Sequence, residues 1–160
     1  MDIKDNTVIS SLKRHRRLGL YLSEKSQRAD TQHYIDAMHT KTPSQETKIR
    51  SLSGGNQQKV IIGRWLLTDP DVLLLDEPTR GIDVAAKVEI YNLMNQLKQQ
   101  GVAVMFVSSE MPEVMGIADR IIVMCDGRIT GEVMARETTQ AEILTLATQF
   151  ENKFADEAAV

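Results

Sequence analysis

The pattern of hydrophobic and polar positions divides this chain of 160 residues into a polar, helical first part and a remainder of alternating strands and helices. In the first part, one set of apolar residues at irregular spacing and a second, more regular set predict two helices. The first set is Leu12, Leu18, Leu20 and Leu22, and the second is Ala29, Tyr34, Ile35 and Met38. The segment Lys41-Thr42-Pro43-Ser44 ends this region, because proline cannot continue a helix and restricts the residue before it.

The remainder predicts two strands joined by a helix. Ser53 is typical of an N-cap, and the helix that it opens is expected to end near residue 67. Residues 72–75 and 102–107 are apolar runs, which predict strands buried on both faces as in a parallel sheet. Between these runs Asp83 caps a long helix, and Gly101 follows that helix in the C′ position. This is a βαβ layout, so the fold class is α/β.

Shorter elements complete the pattern. Residues 111–116 predict a short helix, and residues 120–125 and 128–133 predict a hairpin around Asp126-Gly127, which suits a two-residue turn. A closing helix is expected over residues 138–150. We therefore expect three parts: a helical region at 1–52, an α/β region at 53–150, and a tail at 151–160 that frays.

Composition and charge narrow the function classes. The net charge of −3 combines +4 over residues 1–50 with −7 over the rest. The basic run at residues 13–17 is either a solvated helix face or a contact with a partner protein or an anionic lipid surface. The pattern disfavours nucleic-acid binding, because no aromatic residues interleave with the basic ones and the total charge is negative. The single cysteine, Cys125, predicts an inert buried thiol in a reducing compartment, and no apolar run is long enough to cross a bilayer.

Two short motifs carry candidate chemistry. Ser53-Gly54-Gly55 opens a helix, where backbone N–H groups and the helix dipole favour a phosphate. Asp76-Glu77 ends an apolar strand, where one carboxylate can order a magnesium ion and the next can hold an attacking water. Alone, a motif of the first kind is most often a flexible turn. The alternative interpretation of the second is an acidic pair at a strand end without catalytic function. Their order, followed by Thr79-Arg80-Gly81-Ile82-Asp83, makes the combination specific.

The two motifs resemble the signature and Walker B motifs of an ATP-binding-cassette (ABC) ATPase. Residues 52–66 and 76–84 are similar to the second nucleotide-binding cassette of bacterial monosaccharide importers, and the resemblance continues through Ser108-Ser109-Glu110-Met111-Pro112-Glu113-Val114. Those importers serve ribose, galactose, arabinose or xylose. Residues 30–43 and 138–144 favour the galactose/methyl galactoside branch.

The resemblance implies roles for the signature and the residues after Walker B. Ser53, Gly54 and Gly55 would contact the γ-phosphate of ATP held by the opposite cassette, so this loop would act in trans, and Gln57 would belong to the same nucleotide-binding signature. Gly81 and Asp83 match the D-loop, which crosses the interface between cassettes; the plainer interpretation of Asp83 is a helix cap, and both can hold.

The resemblance also implies the catalytic and metal residues. Asp76 would order water around Mg²⁺, and Glu77 would polarise the attacking water as general base. Ser109 stands at the switch position, where ABC ATPases usually carry a histidine that contacts the γ-phosphate. A hydroxyl donates a hydrogen bond but lacks the charge of an imidazolium. This suggests that the ATP site of this cassette is impaired, although Glu77 is retained.

The resemblance implies ATP and Mg²⁺ as cofactors, and a P-loop NTPase-like fold whose P-loop half is not in this sequence. No lysine follows a glycine, so the pattern G-x-x-x-x-G-K-[ST] does not occur. We expect a helical subdomain, a partial and mainly parallel sheet, and a carboxyl-terminal hairpin. The isolated chain is expected to be inactive as an ATPase.

The implied partners are a second cassette, the membrane permease subunits and, indirectly, a periplasmic sugar-binding protein. The chain would lie peripherally on the cytoplasmic face of the bacterial inner membrane. Exposed apolar faces on a partial sheet favour self-association. Two alternatives remain open: a non-transport ABC ATPase of DNA repair or translation, and a non-catalytic module that contacts a permease or a cassette.

Overall fold

The computed structural model describes residues 1–17 and 21–150. The chain forms two compact units, Met1–Val107 and Ser108–Val160. The predicted boundary between a helical part and an α/β part, at residue 52, lies inside the first unit and stays a prediction. The predicted fraying of residues 151–160, and Leu18 and Leu20 of the first predicted helix, lie outside the described residues.

The first helix lies earlier in the chain than the apolar pattern predicted. Helix α1 spans Ile3–Val8 and continues into a 3₁₀ helix, Ile9–His15. Strands β1 (Arg16–Arg17) and β2 (Tyr21–Leu22) then pair antiparallel. The prediction was wrong because it treated Leu12 and Leu22 as core residues. Both are exposed, whereas Ile3 and Val8 are buried.

Three helices pack together in the first unit. Helix α2 spans Glu24–Ala37, which confirms the second predicted helix, and it begins where the Ser23 side chain accepts a hydrogen bond from the backbone N–H of Ser26. Helix α3 spans Gly54–Leu66 and contacts both α1 and α2. Gly63 permits the approach of α3 to α2, because a Cβ there would lie 3.3 Å from the Cβ of Tyr34.

A βαβ arrangement follows, as predicted. Strand β3 spans Val72–Asp76, α4 spans Val84–Gln99, and β4 spans Ala103–Val107. The two strands are parallel, in register from Val72 opposite Ala103 to Asp76 opposite Val107. Helix α4 packs against β4 and against α3. Gly101 ends α4 with φ at +90°, the left-handed conformation expected of a C′ glycine.

The prediction that β3 and β4 are buried on both faces was wrong for this chain. Burial alternates along β3, with Leu73 and Leu75 buried and Leu74 69% exposed. Met105 and Val107 on β4 are exposed on the same face as Leu74, because directly paired residues of parallel strands share a face. An apolar run shows that a strand can be buried on both faces. Whether it is buried depends on other helices or strands that pack against each face.

The second unit contains α5 (Met111–Ile117), β5 (Arg120–Cys125), β6 (Arg128–Met134) and α6 (Gln140–Ala147). The hairpin prediction is confirmed. Asp126 and Gly127 both adopt positive φ, at 48° and 71°, as a two-residue turn requires. The core is formed by Ile121, Val123, Ala135 and Ile143.

Helix α6 is shorter than the predicted 138–150. It begins after Thr139, whose side chain accepts a hydrogen bond from the backbone N–H of Glu142. Cys125 is buried at the end of β5, as expected. Within residues 1–17 and 21–150, no helix has both the length and the apolar character needed to cross a bilayer.

Candidate functional site

The signature turn, which we define as residues 52–56, opens α3 without a side-chain cap. Ser53 occupies the N-cap position in extended conformation, but its hydroxyl accepts a hydrogen bond from the side-chain amide of Asn56 at 2.9 Å. The intrahelical ladder starts with the Gln57 N–H bonding to the Ser53 carbonyl. The backbone N–H groups of residues 54–56 therefore precede the ladder, at the positive end of the helix dipole. This is the arrangement that suits a phosphate.

Side chains of the motif itself hold this turn in place. Asn56 accepts a hydrogen bond from the backbone N–H of Lys41 at 2.8 Å while its amide donates to Ser53. Gln57 donates from its side-chain amide to the Leu52 carbonyl at 2.8 Å. In this structure Gln57 therefore shapes the turn from within, and its predicted contact with nucleotide stays a prediction.

The structure brings the signature turn against the segment formed by residues 81–86, which includes the predicted D-loop. A Cβ on Gly54 would lie 3.2 Å from Ile82 Cγ2, and a Cβ on Gly55 would lie 2.5 Å from the Cβ of Ala86. Gly81 has φ at +73°, and Asp83 accepts a hydrogen bond from the Ala86 N–H at 2.9 Å. Close packing within this chain thus leaves no room for a Cβ at Gly55 and little room for one at Gly54.

The two predicted catalytic carboxylates lie at the carboxyl end of β3. Asp76 is exposed and is the last residue of the strand. Glu77 is partly exposed, and its N–H donates to the Val107 carbonyl at 3.0 Å, which places it beside the end of β4. Glu77 has φ at +46°, and a left-handed conformation costs an L-residue about 1–2 kcal/mol. Such strain at a non-glycine residue is typical of functional sites.

The donor set near Asp76 fits a hydrated magnesium ion better than an ion enclosed by the protein. Within residues 1–17 and 21–150, no group of three or more His, Cys, Asp or Glu side chains could hold a metal ion. Asp76 nevertheless presents a hard oxygen donor at the surface. Magnesium commonly takes one or two carboxylates and completes its shell with waters and substrate phosphates.

Ser109, the predicted switch residue, is exposed near the start of the second unit. The neighbouring Ser108 donates its hydroxyl to Glu113 at 2.8 Å and accepts a hydrogen bond from the Glu110 N–H at 3.0 Å. These bonds shape the turn that precedes α5. The predicted role of Ser109 remains a prediction.

An ion pair between Lys59 and Glu89 was not expected from the sequence. Lys59 is only 4% exposed, and its ammonium lies 2.6 Å from Glu89 Oε2 and 3.1 Å from the His39 carbonyl. The hydrogen bond from Lys59 lowers the pKa of Glu89 below its usual value, with a smaller contribution from the charge of the lysine. A signal was available in the sequence, because Lys59 is four residues after Gly55 on α3 and so shares its buried face.

Comparison with known proteins agrees with these motifs. Residues 2–80 match the family model described as ABC transporter. A galactose/methyl galactoside import ATP-binding protein of Mannheimia succiniciproducens is 54% identical over 150 residues, which is 94% of this chain. An ABC transporter domain is therefore present in this chain.

Other relatives of this chain carry the same description. The protein of that name in Fusobacterium nucleatum subsp. nucleatum is 54% identical, and the one in Clostridium tetani is 49% identical, each over 94% of this chain. The chain spans 30% of the length of these relatives.

Solved structures show the fold. A dimeric bacterial ABC transporter cassette has a TM-score of 0.72 and 25% identity, covering 86% of this chain and 58% of that one. A nucleotide-free ATP-binding cassette from an ABC transporter has a TM-score of 0.73 and 21% identity, covering 91% and 58%. The fold is therefore that of an ABC ATPase cassette, in the P-loop NTPase class, as predicted.

Proposed function

We propose that this chain is the carboxyl-terminal part of the second cassette of an ATPase subunit that powers monosaccharide import, with galactose/methyl galactoside as the transported sugars. The support is the 54% identity to relatives described as galactose/methyl galactoside import ATP-binding proteins. The charge pattern and the absence of long heptad repeats disfavour a nucleic-acid-associated ABC ATPase.

The signature turn acts on ATP that is bound by the partner cassette. The observation that carries this proposal is the start of α3, where three backbone N–H groups precede the helical ladder and the Ser53 hydroxyl is not used as a cap. Backbone donors at a helix start and an exposed serine can together bind the terminal phosphate. Gly54 and Gly55 hold this surface against the 81–86 segment, which presents the D-loop to the same partner.

Asp76 and Glu77 serve the ATP site of their own cassette. Asp76 would hold a magnesium ion through its waters, and the bound ion would supply charge neutralisation for the phosphates. Glu77 accepts the proton of the attacking water. The backbone of Glu77 is hydrogen-bonded to Val107 and has a left-handed conformation, and together these set the point from which its side chain extends. Ser109 supplies a neutral hydroxyl at the switch position, which makes this site the weaker of the two.

The 160-residue chain alone does not hydrolyse ATP, because its sequence contains no P-loop pattern. ATP hydrolysis requires the partner cassette and the P-loop part of the cassette to which this chain contributes. The complete assembly also includes the permease and a periplasmic sugar-binding protein, with the ATPase on the cytoplasmic face of the inner membrane.

A chimeric importer tests the proposed function. The matching 150 residues of the Mannheimia succiniciproducens relative are replaced by this chain, and galactose uptake and ATP turnover are measured in a host that lacks its own importer. We expect uptake to be restored. Ser53→Arg should reduce ATP turnover by about 10-fold or more, because it blocks an electrostatic contact to the phosphate.

Gly116→Ala is the matched control, because a Cβ at Gly116 meets no atom within 4 Å. An assembled chimera that takes up no galactose would contradict the transport proposal. An assembled chimera in which Ser53→Arg and Glu77→Gln both keep full turnover would favour a non-catalytic interaction module instead.

A further inference from the structure

The ion pair between Lys59 and Glu89 lies one helical turn away from the close contact between Gly55 and Ala86. Lys59 follows Gly55 by four residues on α3, and Glu89 follows Ala86 by three residues on α4. Residues at these spacings share a helix face. The pair therefore continues the Gly55–Ala86 contact along the line where α3 and α4 meet.

Lys59 also connects α3 to a third segment. Its ammonium donates to the carbonyl of His39, a residue with φ at +48°. Two residues further on, the backbone N–H of Lys41 donates to Asn56 of the signature turn. The segment 39–41 is thus attached to α3 at two points one turn apart, and Lys59 contributes one of them.

These contacts restrain different movements of α3. The contact between Gly55 and Ala86 is van der Waals packing, which limits approach but has little directional preference. The hydrogen bonds from Lys59 are directional, and charge-assisted bonds are the stronger ones. A buried ammonium that loses its carboxylate partner is costly, so the pair opposes movements of α3 that separate Lys59 from Glu89.

We propose that Lys59 and Glu89 are positioning residues that hold the signature turn and the 81–86 segment as one rigid surface towards the partner cassette. This inference rests on the proposed function, because it assigns the pair a role in presenting the signature turn to ATP. Neither residue touches the nucleotide in this proposal. Their effect on ATP turnover passes through Ser53, Gly54 and Gly55.

The test compares five variants in the chimeric importer, one of which is the combination of Lys59→Met with Glu89→Gln. Lys59→Met and Glu89→Gln break the pair, Lys59→Arg retains it, and the double variant Lys59→Glu with Glu89→Lys reverses it. We expect kcat/KM for ATP to fall about 5- to 50-fold in the two broken variants, and non-additively when they are combined, because both remove one interaction. Lys59→Arg should recover most of the loss.

Lys25→Met is the matched control, because it removes the same charge from an exposed position of α2. Melting temperature is measured for every variant. A purely structural role predicts a lower melting temperature with unchanged kcat/KM for the folded protein, and that result would overturn the proposal. Additive losses, or no recovery with Lys59→Arg, would overturn it as well.

Failure of the proposed function gives a different pattern. If Ser53→Arg leaves ATP turnover unchanged, the signature turn does not act on ATP and the proposed function is wrong. If Ser53→Arg stops turnover while Lys59→Met behaves like Lys25→Met, only the positioning role is wrong.

Discussion

Two single positions show how local geometry and chemistry are combined in this site. Gly55 lacks a side chain because Ala86 occupies the space where a Cβ would be. Glu77, in contrast, keeps a full side chain in a backbone conformation that favours glycine. The first residue is explained by packing alone. The second is the residue to which we assign the catalytic carboxylate.

Gly55→Ala is expected to destabilise the chain by about 1–3 kcal/mol, the usual cost of forcing a methyl group into packed structure. The clash at 2.5 Å involves the Cβ of Ala86, which is attached directly to the helix backbone and cannot rotate away. Urea unfolding measures the change. Gly116→Ala should be neutral or slightly stabilising, because that position is an open helix site. Equal effects of the two substitutions would contradict the packing explanation.

Glu77→Gly separates strain from chemistry. Glycine adopts positive φ without the cost of about 1–2 kcal/mol, although part of that gain is offset by the greater entropy of the unfolded chain. We expect the variant to be at least as stable as the wild-type chain in thermal unfolding. The part of ATP turnover that this cassette's own site contributes in the chimeric importer should be lost, because no group remains there to accept the proton of the attacking water. A marked loss of stability would show that the Glu77 side chain supports the fold.

Among the helices and strands, the close contact of α3 with α4 organises the site. Helix α3 begins at the signature turn, and α4 begins at the 81–86 segment, so their first turns meet at Gly55 and Ala86. The ion pair of Lys59 with Glu89 fixes the next turn. Two sequence motifs that are separated by strand β3 therefore form one surface.

The contribution of this ion pair to stability should depend on pH. The folded-state pKa of Glu89 is lowered, so its stabilising effect is present above the unfolded pKa and is lost as pH falls through the folded value. We expect wild type to exceed Glu89→Gln in unfolding free energy at about pH 7, and the difference to disappear in acid well below the usual glutamate pKa of about 4.3. Urea titrations of both proteins across this range measure it. A difference that grows as pH falls would contradict the assignment.

For the chain as a whole, the sheet formed by β3 and β4 has one apolar face exposed. Leu74 and Met105 lie opposite each other on that face and are 69% and 53% exposed, and Val72 and Val107 extend it. Parallel sheets are almost always covered on both faces. A contiguous apolar surface of this kind promotes association.

We therefore expect the isolated 160-residue chain to self-associate at micromolar concentration. Leu74→Glu combined with Met105→Lys should shift the chain towards monomer, because burying either charge in an apolar contact is unfavourable. Light scattering after size-exclusion chromatography measures the mass. Ile9→Glu, at an exposed apolar position in the 3₁₀ helix rather than in the sheet, is the control. A wild-type chain that is monomeric at high concentration would refute the expectation.

Local signals in the sequence were sufficient for most helices, strands and turns. The N-cap of Asp83, the C′ position of Gly101 and the Asp126-Gly127 turn were all identified, because each depends on residues a few positions apart. The same holds for the placement of Asp76 and Glu77 at the end of a strand. Their catalytic and metal roles, like the role of Ser109, stay predictions.

Contacts between distant segments were available only from the folded chain. Gly55 against Ala86, Lys59 with Glu89, and Asn56 with Lys41 each join elements that the local pattern treats separately. The exposure of Leu74 was also missed, because an apolar run records that a residue can be buried and not whether a second layer is present. Local propensity acts through neighbouring residues, whereas burial and close packing depend on which elements meet.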